Sequence, residues 1–464
     1  EFWCTTVKNN DFVELKVSST FIIAMIVSEE IENKEIAKQY KELLRISYQT
    51  LSNEDKKLIR SAFDTAVYAH RNQRRKSGEP YILHPISVAK IVAQEIGLDA
   101  TSIAASLLHD VVEDTEYSIE DIEKLFGISV AKIVEGLTKI SKLSKENQVS
   151  LQAENFRKLL LTLNDDVRVI IIKIADRLHN MQTMDAMPDY KQVKIASETL
   201  YIYAPLSHRI GLYNIKTELE DLSFKYTEPE NYKFIKSKIE GGEEEQEQYI
   251  KSFSKIIEFA LAEEGLEYQI KGRSKSIFSI NRKMTMQNIP FENVFDKFAI
   301  RIIYKGTHRN EKFLAWKIYS IITDHFTPNP TRLRDWITAP KSNGYEALHI
   351  TVMGPNNKWV EVQIRSDRMN EIAEKGYAAH HKYKQGEQKD IGIDSWLDKL
   401  QEVLESNNEN PVDFVENFKL NLYAKEIFVF TPTGEIKSLP KGATALDFAF
   451  SIHTQIGSKT RGAK

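Results

Sequence analysis

Two histidines and two aspartates stand at places in the N-terminal half of the chain where they could hold a metal ion. His84 sits in YILHP, with Pro85 suited to the first position of a helix. His109 and Asp110 are adjacent in SLLHDVVEDT, in the last turn of a helix expected to begin near Thr101. Asp176 sits mid-helix in IIIKIADRLHNMQT, and burying a carboxylate among such apolar neighbours is costly unless a cation or a donor meets it. Four nitrogen and oxygen ligands without a thiolate suit Mn²⁺, Fe²⁺ or Zn²⁺, with Mn²⁺ favoured as the carboxylate share rises. Such an ion would activate water for attack on a phosphoryl group. Glu113 and Asp114 follow within a turn, placed to orient that water or carry its proton.

A lone His or Asp on a helix is more often capped, paired or solvated than a ligand; the joint pattern is what carries the reading. Asp176, Asn180 and Thr183 recur at i, i+4 and i+7, so they share one helical face and form a pocket wall for a polar ring such as a purine. The basic loop RNQRRKSGEP is suited to phosphates, although such a loop is as readily a solvent-exposed turn.

A second group lies further on. In WVEVQIR, Val360, Val362 and Ile364 face one side and Glu361, Gln363 and Arg365 the other. In ALHITV, His349 and Thr351 stand opposite Leu348, Ile350 and Val352. Neighbouring strands of this kind would present Glu, Gln, His and Arg on one sheet face. A single such strand would more simply be half of a solvated antiparallel sheet. Nearby, KGRSKSIFSINRKM carries Lys271, Arg273, Lys275, Arg282 and Lys283 at spacings that put several on one helical face, suited to a triphosphate. Asp296 opens the strand KFAIRIIY and could share Mg²⁺ with Glu361. Arg332, Lys341 and Asn343 add polar groups, and Tyr345, just after Asn-Gly, is placed to stack on a base.

The elements that must position these residues are legible in outline. Residues 30–225 read as almost wholly helical, with Ser52, Thr101, Ser118 and Asp166 as expected caps. GGEEEQEQ reads as a solvated helix face. From about 268 the pattern becomes mixed α/β, and 388–424 reads as a polar helical connector. The last stretch, from EIFVFTPTGEIKSLP onward, reads as two strands and a helix of a β-grasp-like module that stops before it is complete. The expected division is 1–45 leader and N-terminal helix, 46–228 helical domain, 229–387 mixed-sheet domain, 388–424 linker and 425–464 partial module. EFWCTTVKNN lacks periodicity and reads as an upstream-derived leader. At 464 residues, with 42% hydrophobic and 28% charged residues, the chain can bury several cores. A net charge of −3 rules out a global basic field, so any nucleic-acid contact must be local. One cysteine excludes an intrachain disulfide and fits a reducing, cytoplasmic setting. STFIIAMIV is too short to span a bilayer, so no membrane is expected.

The segments HRNQRRKSGEPYILHPISVAKIVAQ, LLHDVVEDT and ADRLHNMQT together closely resemble the HD-type hydrolase domain of the RelA/SpoT family of (p)ppGpp enzymes. The resemblance implies Mn²⁺ at the four ligands, Arg75 and Lys76, with Ser77 beside them, at the pyrophosphate, and Asn180 and Thr183 at the guanine. The later segment resembles the family's synthetase domain. That implies Arg273 on the ATP adenine, Lys275, Ser279 and Lys283 with Arg332 on its phosphates, and Asp296 and Glu361 on Mg²⁺, Glu361 also activating the nucleophile. It further implies Tyr345 on the guanine of GDP or GTP, with Lys341, Asn343, His349 and Gln363 around it. Arg332-Leu333-Arg334-Asp335 keeps the basic character of bifunctional members. Ser274-Lys275-Ser276-Ile277-Phe278 lacks the family's usual histidine and tyrosine, which bears on ATP affinity rather than mechanism. His381 stands where Trp is common, with no consequence attached. The C-terminal segment resembles a TGS domain, implying ribosome and uncharged-tRNA partners for a full-length protein, with an oligomer compatible.

The expected function is therefore a bifunctional enzyme that makes and destroys (p)ppGpp, or else a hydrolase-dominant member with weak synthesis. A tRNA nucleotidyltransferase would need Gly-Ser followed by Asp-x-Asp, yet Phe298 stands two residues after Asp296. A non-catalytic regulator would have eroded ligands. Opposed activities require control, expected through the helices at about 190–230.

Overall fold

The computed structural model describes residues 19–47, 51–144, 166–294, 297–341, 344–376, 426–430, 436–440, 442–452 and 454–462. Asp296, Asn343, His381 and the expected 388–424 connector lie outside them.

The N-terminal half is helical: α1 (Ser19–Ser47), α2 (Asn53–Ala69), α3 (Leu83–Ile91), α4 (Ala100–Leu107), α5 (Val111–Asp114), α6 (Ile119–Phe126), α7 (Ile128–Ser144), α8 (Val167–Gln182), α9 (Asp189–Glu198), α10 (Ala204–Arg209) and α11 (Tyr213–Thr227). Ser52, Ser118 and Asp166 cap α2, α6 and α8 as expected. The expected cap Thr101 is instead inside α4, because Asp99 takes the role and accepts from the Ser102 amide at 3.0 Å. Helix α3 likewise starts two residues before Pro85, so His84 lies in its first turn. One apolar core, including Ile86, Leu107, Ile171 and Leu178, binds these helices together, and α11 joins it through Ile215 and Leu219.

Helices α12 (Pro229–Glu240) and α13 (Glu243–Glu263) lead into a five-stranded sheet of order β1-β2-β5-β4-β3. Its strands are β1 (Tyr268–Ser274), β2 (Phe298–Tyr304), β3 (Arg334–Asp335), β4 (Leu348–Met353) and β5 (Trp359–Ser366). Only the β2–β5 pair is parallel; the other pairs are antiparallel. Helix α14 (Ile277–Gln287) follows β1, α15 (Glu311–His325) follows β2 and α16 (Asp367–Lys375) follows β5. The basic stretch at 271–284 is therefore not one helical face. Lys271 and Arg273 lie on β1, and the Ser276 hydroxyl, accepting from the Ser279 amide, starts α14 only afterwards.

The period-2 reading of the central strands holds. Register pairs His349 with Gln363 and Thr351 with Glu361, so these four share one face. The other face carries Ile300, Ile302, Val360, Val362, Leu348 and Ile350, buried against α13 and α15 with Phe253 and Phe326 stacked 4.4 Å apart. Beyond the linker, β6 (Glu426–Phe430) and β7 (Ile436–Pro440) form an antiparallel hairpin, followed by α17 (Ala445–Ile452) and α18 (Thr454–Lys459).

The helical and sheet halves touch closely. Gly376 ends α16 at φ 59°, and a Cβ there would lie 2.6 Å from the Gly211 carbonyl carbon, so only glycine fits.

Candidate functional site

The helical half gathers its expected ligands. His109 and Asp110 lie in the tight turn between α4 and α5 rather than in a helical turn. That break solves the problem of aiming two adjacent side chains at one point. One ligand atom each from His84, His109 and Asp176 lies within 4.8 Å of the others, and all three residues are buried. Asp110 lies beside this group rather than within it: its Oδ2 is 2.9 Å from His109 Nε2 and 3.9 Å from His84 Nε2. His109 Nε2 makes no hydrogen bond despite this closeness. A buried nitrogen left so suits a metal ligand, since a lone pair there needs no proton donor. His109 Nδ1 donates to the Ser106 carbonyl at 2.8 Å; burial opposes protonation of the ring, yet the Asp110 carboxylate raises its pKa to about 9, so Nε2 would give up a proton on binding an ion.

Neighbours that the sequence reading missed orient this group. His84 Nδ1 meets His179 Nδ1 at 2.8 Å. Burial, reinforced by His84 and Arg75, holds the His179 pKa down to about 3, so His179 is neutral and its Nδ1 can accept from His84 when His84 turns a bare Nε2, now 3.2 Å from Asp176 Oδ1, to an ion. The Tyr81 hydroxyl donates to Asp110 Oδ2 at 2.6 Å, and Lys173 lies 2.8 Å from Asp176 Oδ2. Burial opposes ionisation of both aspartates, yet His109 beside Asp110 and Lys173 beside Asp176 hold them below the usual carboxylate range. His179 lies three residues after Asp176 and Lys173 three residues before it, a helical spacing that was available as a signal; Tyr81 carried none.

The expected substrate residues adjoin the group. Asn180 Nδ2 donates to Asp176 Oδ1 at 2.6 Å. Arg75 donates to Asn180 Oδ1 at 3.2 Å and to Thr183 Oγ at 2.7 Å, closing the loop onto α8. Lys76, Ser77 and Asp114 are exposed and Glu113 is half-buried. Gln73 ties the basic loop to the Asp114 carbonyl at 2.7 Å.

The polar sheet face holds the second group. Gln363 Nε2 donates to Glu361 Oε1 at 2.7 Å, and Arg365 donates to Gln363 Oε1 at 2.7 Å and to the Tyr345 hydroxyl at 2.6 Å. The Tyr345 hydroxyl also meets His349 Nε2 at 2.8 Å. Burial holds the His349 pKa down to about 4, so this imidazole is neutral. A cavity of about 460 Å³ opens beside Glu361 and His349, lined by Lys275, Ser279, Lys283 and Arg332. A smaller one of about 180 Å³ places Arg273 with Lys275, Ser279, Glu361 and Gln363. The Tyr345 ring is only 7% exposed, with Lys341 Nζ 4.9 Å from its centre and Tyr213 of α11 edge-on at 5.4 Å.

A buried His/Asp group in a helical domain, joined to a mixed sheet with one cation-rich face, gives the chain two candidate sites, one in each half. Family models match in the same order: "HD domain" at 62–213, "Region found in RelA / SpoT proteins" at 272–388 and "TGS domain" at 427–464. The HD domain is a metal-dependent hydrolase fold, in keeping with the His84–His109–Asp176 group. The chain belongs to the RelA/SpoT family. It is 43% identical to "GTP pyrophosphokinase" of Myxococcus xanthus over 416 residues, 88% of this chain and 54% of that protein. It is 42% identical to "Bifunctional (p)ppGpp synthase/hydrolase SpoT" of Escherichia coli K12 over 421 residues, 90% of this chain and 59% of that protein. The chain thus spans somewhat more than half the length of these relatives. Among the described residues no helix is long and apolar enough to cross a membrane.

Proposed function

We propose that the chain is a bifunctional (p)ppGpp enzyme, with the division 46–228 for hydrolysis and 229–387 for synthesis. The observation that carries this reading is the convergence of His84, His109 and Asp176 within 4.8 Å, with Arg75, Asn180 and Thr183 alongside. The names of the relatives support both activities. We place it in the cytoplasm, with ribosome and uncharged tRNA as partners of the full-length protein.

In the hydrolase site, His84, His109, Asp110 and Asp176 would hold Mn²⁺. When bound, such an ion lowers the pKa of water and polarises a phosphoryl oxygen. With an ion in place, His179 and the Ser106 carbonyl would accept from the two Nδ1–H groups and so orient both imidazoles. Arg75, with Lys76 and Ser77, takes the pyrophosphate charge, and Asn180 and Thr183 face the guanine. Glu113 and Asp114 receive the proton of the attacking water. The 3′-oxygen–phosphorus bond breaks, giving GDP or GTP and pyrophosphate.

In the synthetase site, Arg273, Lys275, Ser279, Lys283 and Arg332 hold ATP, and Glu361 with Asp296 would hold Mg²⁺. Gln363 fixes the Glu361 carboxylate, which takes the proton of the guanosine 3′-hydroxyl. That oxygen bonds to the β-phosphorus of ATP, the α–β bridging bond breaks and AMP leaves, with positioning supplying most of the rate. Lys341, Asn343, Tyr345, His349 and Gln363 surround the guanosine. A hydrolase-dominant balance is favoured by one observation, the burial of Tyr345 under Tyr213.

Two reactions test the reading. Protein with ATP, GDP and Mg²⁺ should release AMP, and protein with ppGpp and Mn²⁺ should release pyrophosphate. Absence of the second product, with the chain folded, overturns the hydrolase assignment; absence of the first overturns the synthetase one.

A further inference from the structure

One cation in the nucleotide-sized cavity comes from outside the sheet half. Lys216 lies on α11, whose Ile215 and Leu219 are buried in the helical core, yet it lines the same cavity as Lys275, Ser279, Lys283 and Glu361. It also falls between the segments matched by the HD and RelA/SpoT models, 62–213 and 272–388. We infer that Lys216 is a phosphate ligand of the synthetase nucleotide, supplied by the hydrolase half. The inference rests on the nucleotide reading above and adds a residue to it.

The electrostatics point to an anion. Six of the cavity's lining residues are Lys or Arg and one is acidic, Glu361. A cavity of about 460 Å³ falls within the range of small-ligand sites. Crowding six cations there is unfavourable until a polyphosphate enters, and each then gains a charge-assisted contact.

The geometry keeps Lys216 within reach. On the same helix, the Asp221 carboxylate accepts from the backbone amides of Phe278 at 2.8 Å and Ile277 at 3.3 Å. That clamps α11 against the first turn of α14, the helix that carries Ser279 and Lys283. Lys216 Nζ rests 2.6 Å from Glu220 Oε2, one turn along, with its side chain 22% exposed. Burial pushes the Glu220 carboxyl up, against the pull of Lys216, so this partner is a reluctant anion and holds the ammonium weakly. A lysine stem is long and flexible enough to turn from Glu220 to an arriving phosphate. Any motion of the helical core that shifts α11 then alters the hold on the nucleotide directly.

The test is calorimetric titration of Mg·ATP into the whole chain without a guanosine acceptor, so that no turnover is needed. Lys216→Met should weaken binding about tenfold, the loss of one charged contact, and Lys216→Arg should recover most of it. Lys216→Met combined with Glu220→Gln should stay weak, because the lost contact is to nucleotide and not to Glu220. Wild-type affinity in the single Met variant, recovery in the double variant, or no Mg·ATP binding by the wild-type protein each overturns the inference. Intact binding with no AMP formed when GDP is added would overturn the synthetase reading alone.

Discussion

At the scale of single residues, the candidate metal group depends on side chains that lie outside it. His84 can offer Nε2 as a lone pair to an ion only if its Nδ1 carries the proton, which requires His179 Nδ1, 2.8 Å away, to be the acceptor. Losing such an orienting partner costs about 10–100-fold in metal affinity in comparable sites. His179→Ala should therefore raise the Mn²⁺ concentration needed for half-maximal pyrophosphate release by about that factor, while AMP formation is unchanged. An unchanged Mn²⁺ requirement would mean that His84 is held by other contacts. The convergence of His84, His109 and Asp176 was legible in the sequence because imidazoles and carboxylates are rare beside apolar runs and their cost when buried must be met. Tyr81 was not, since a tyrosine in a loop is ordinary until the fold brings it to 2.6 Å of an aspartate, whereas Lys173, three residues before Asp176 and 2.8 Å from it, is open to the same helical-spacing argument as His179.

At the scale of elements, α11 and α14 meet at a charged joint. Asp221 accepts from the first turn of α14, where aligned amides favour a negative charge. Burial nevertheless dominates, and the Asp221 pKa rises to about 6 from its ordinary 3.8. A raised folded-state pKa means that the folded chain binds the proton more tightly than the unfolded one. The stabilisation is thus fully present below about 3.8 and is lost as pH rises through about 6. Asp221→Asn keeps an accepting oxygen and removes the titration. Its melting temperature should exceed that of the wild-type protein by a margin that widens between pH 4.5 and 7, at roughly 2–4 °C per kcal/mol. A constant margin across that range would place Asp221 in a solvated setting instead. The strand faces are legible in the sequence, because period 2 in WVEVQIR and ALHITV leaves one assignment once a face must be buried. The joint is not, for it depends on which helix packs beside which. The basic stretch at 271–284 misleads for a related reason: its spacing suits a helix, but Ser276 as a cap splits it after β1.

At the scale of the whole molecule, α11 belongs to three packed clusters at once. Ile215 and Leu219 sit in the helical core; Phe224 packs with Ile280 of α14 and Phe291; Tyr213 packs beside Tyr345 and Ala347 of the sheet half. A rigid helix shared this way has few ways to move for one site alone, because close-packed interfaces switch between arrangements rather than deform. This gives the expected control through residues 190–230 a physical carrier. Coupling must also be reciprocal in binding free energy, typically 1–3 kcal/mol, or about 5–150-fold. Adding Mg·ATP should therefore weaken ppGpp binding at the hydrolase site by about fivefold or more, slowing pyrophosphate release at sub-saturating ppGpp. Phe224→Ala, which empties the contact with α14 while leaving both sets of site residues in place, should cut that effect toward none. Initial rates with and without Mg·ATP measure it. A wild-type rate indifferent to Mg·ATP, or a variant that keeps the full effect, would show that the two sites share a helix without sharing its energy.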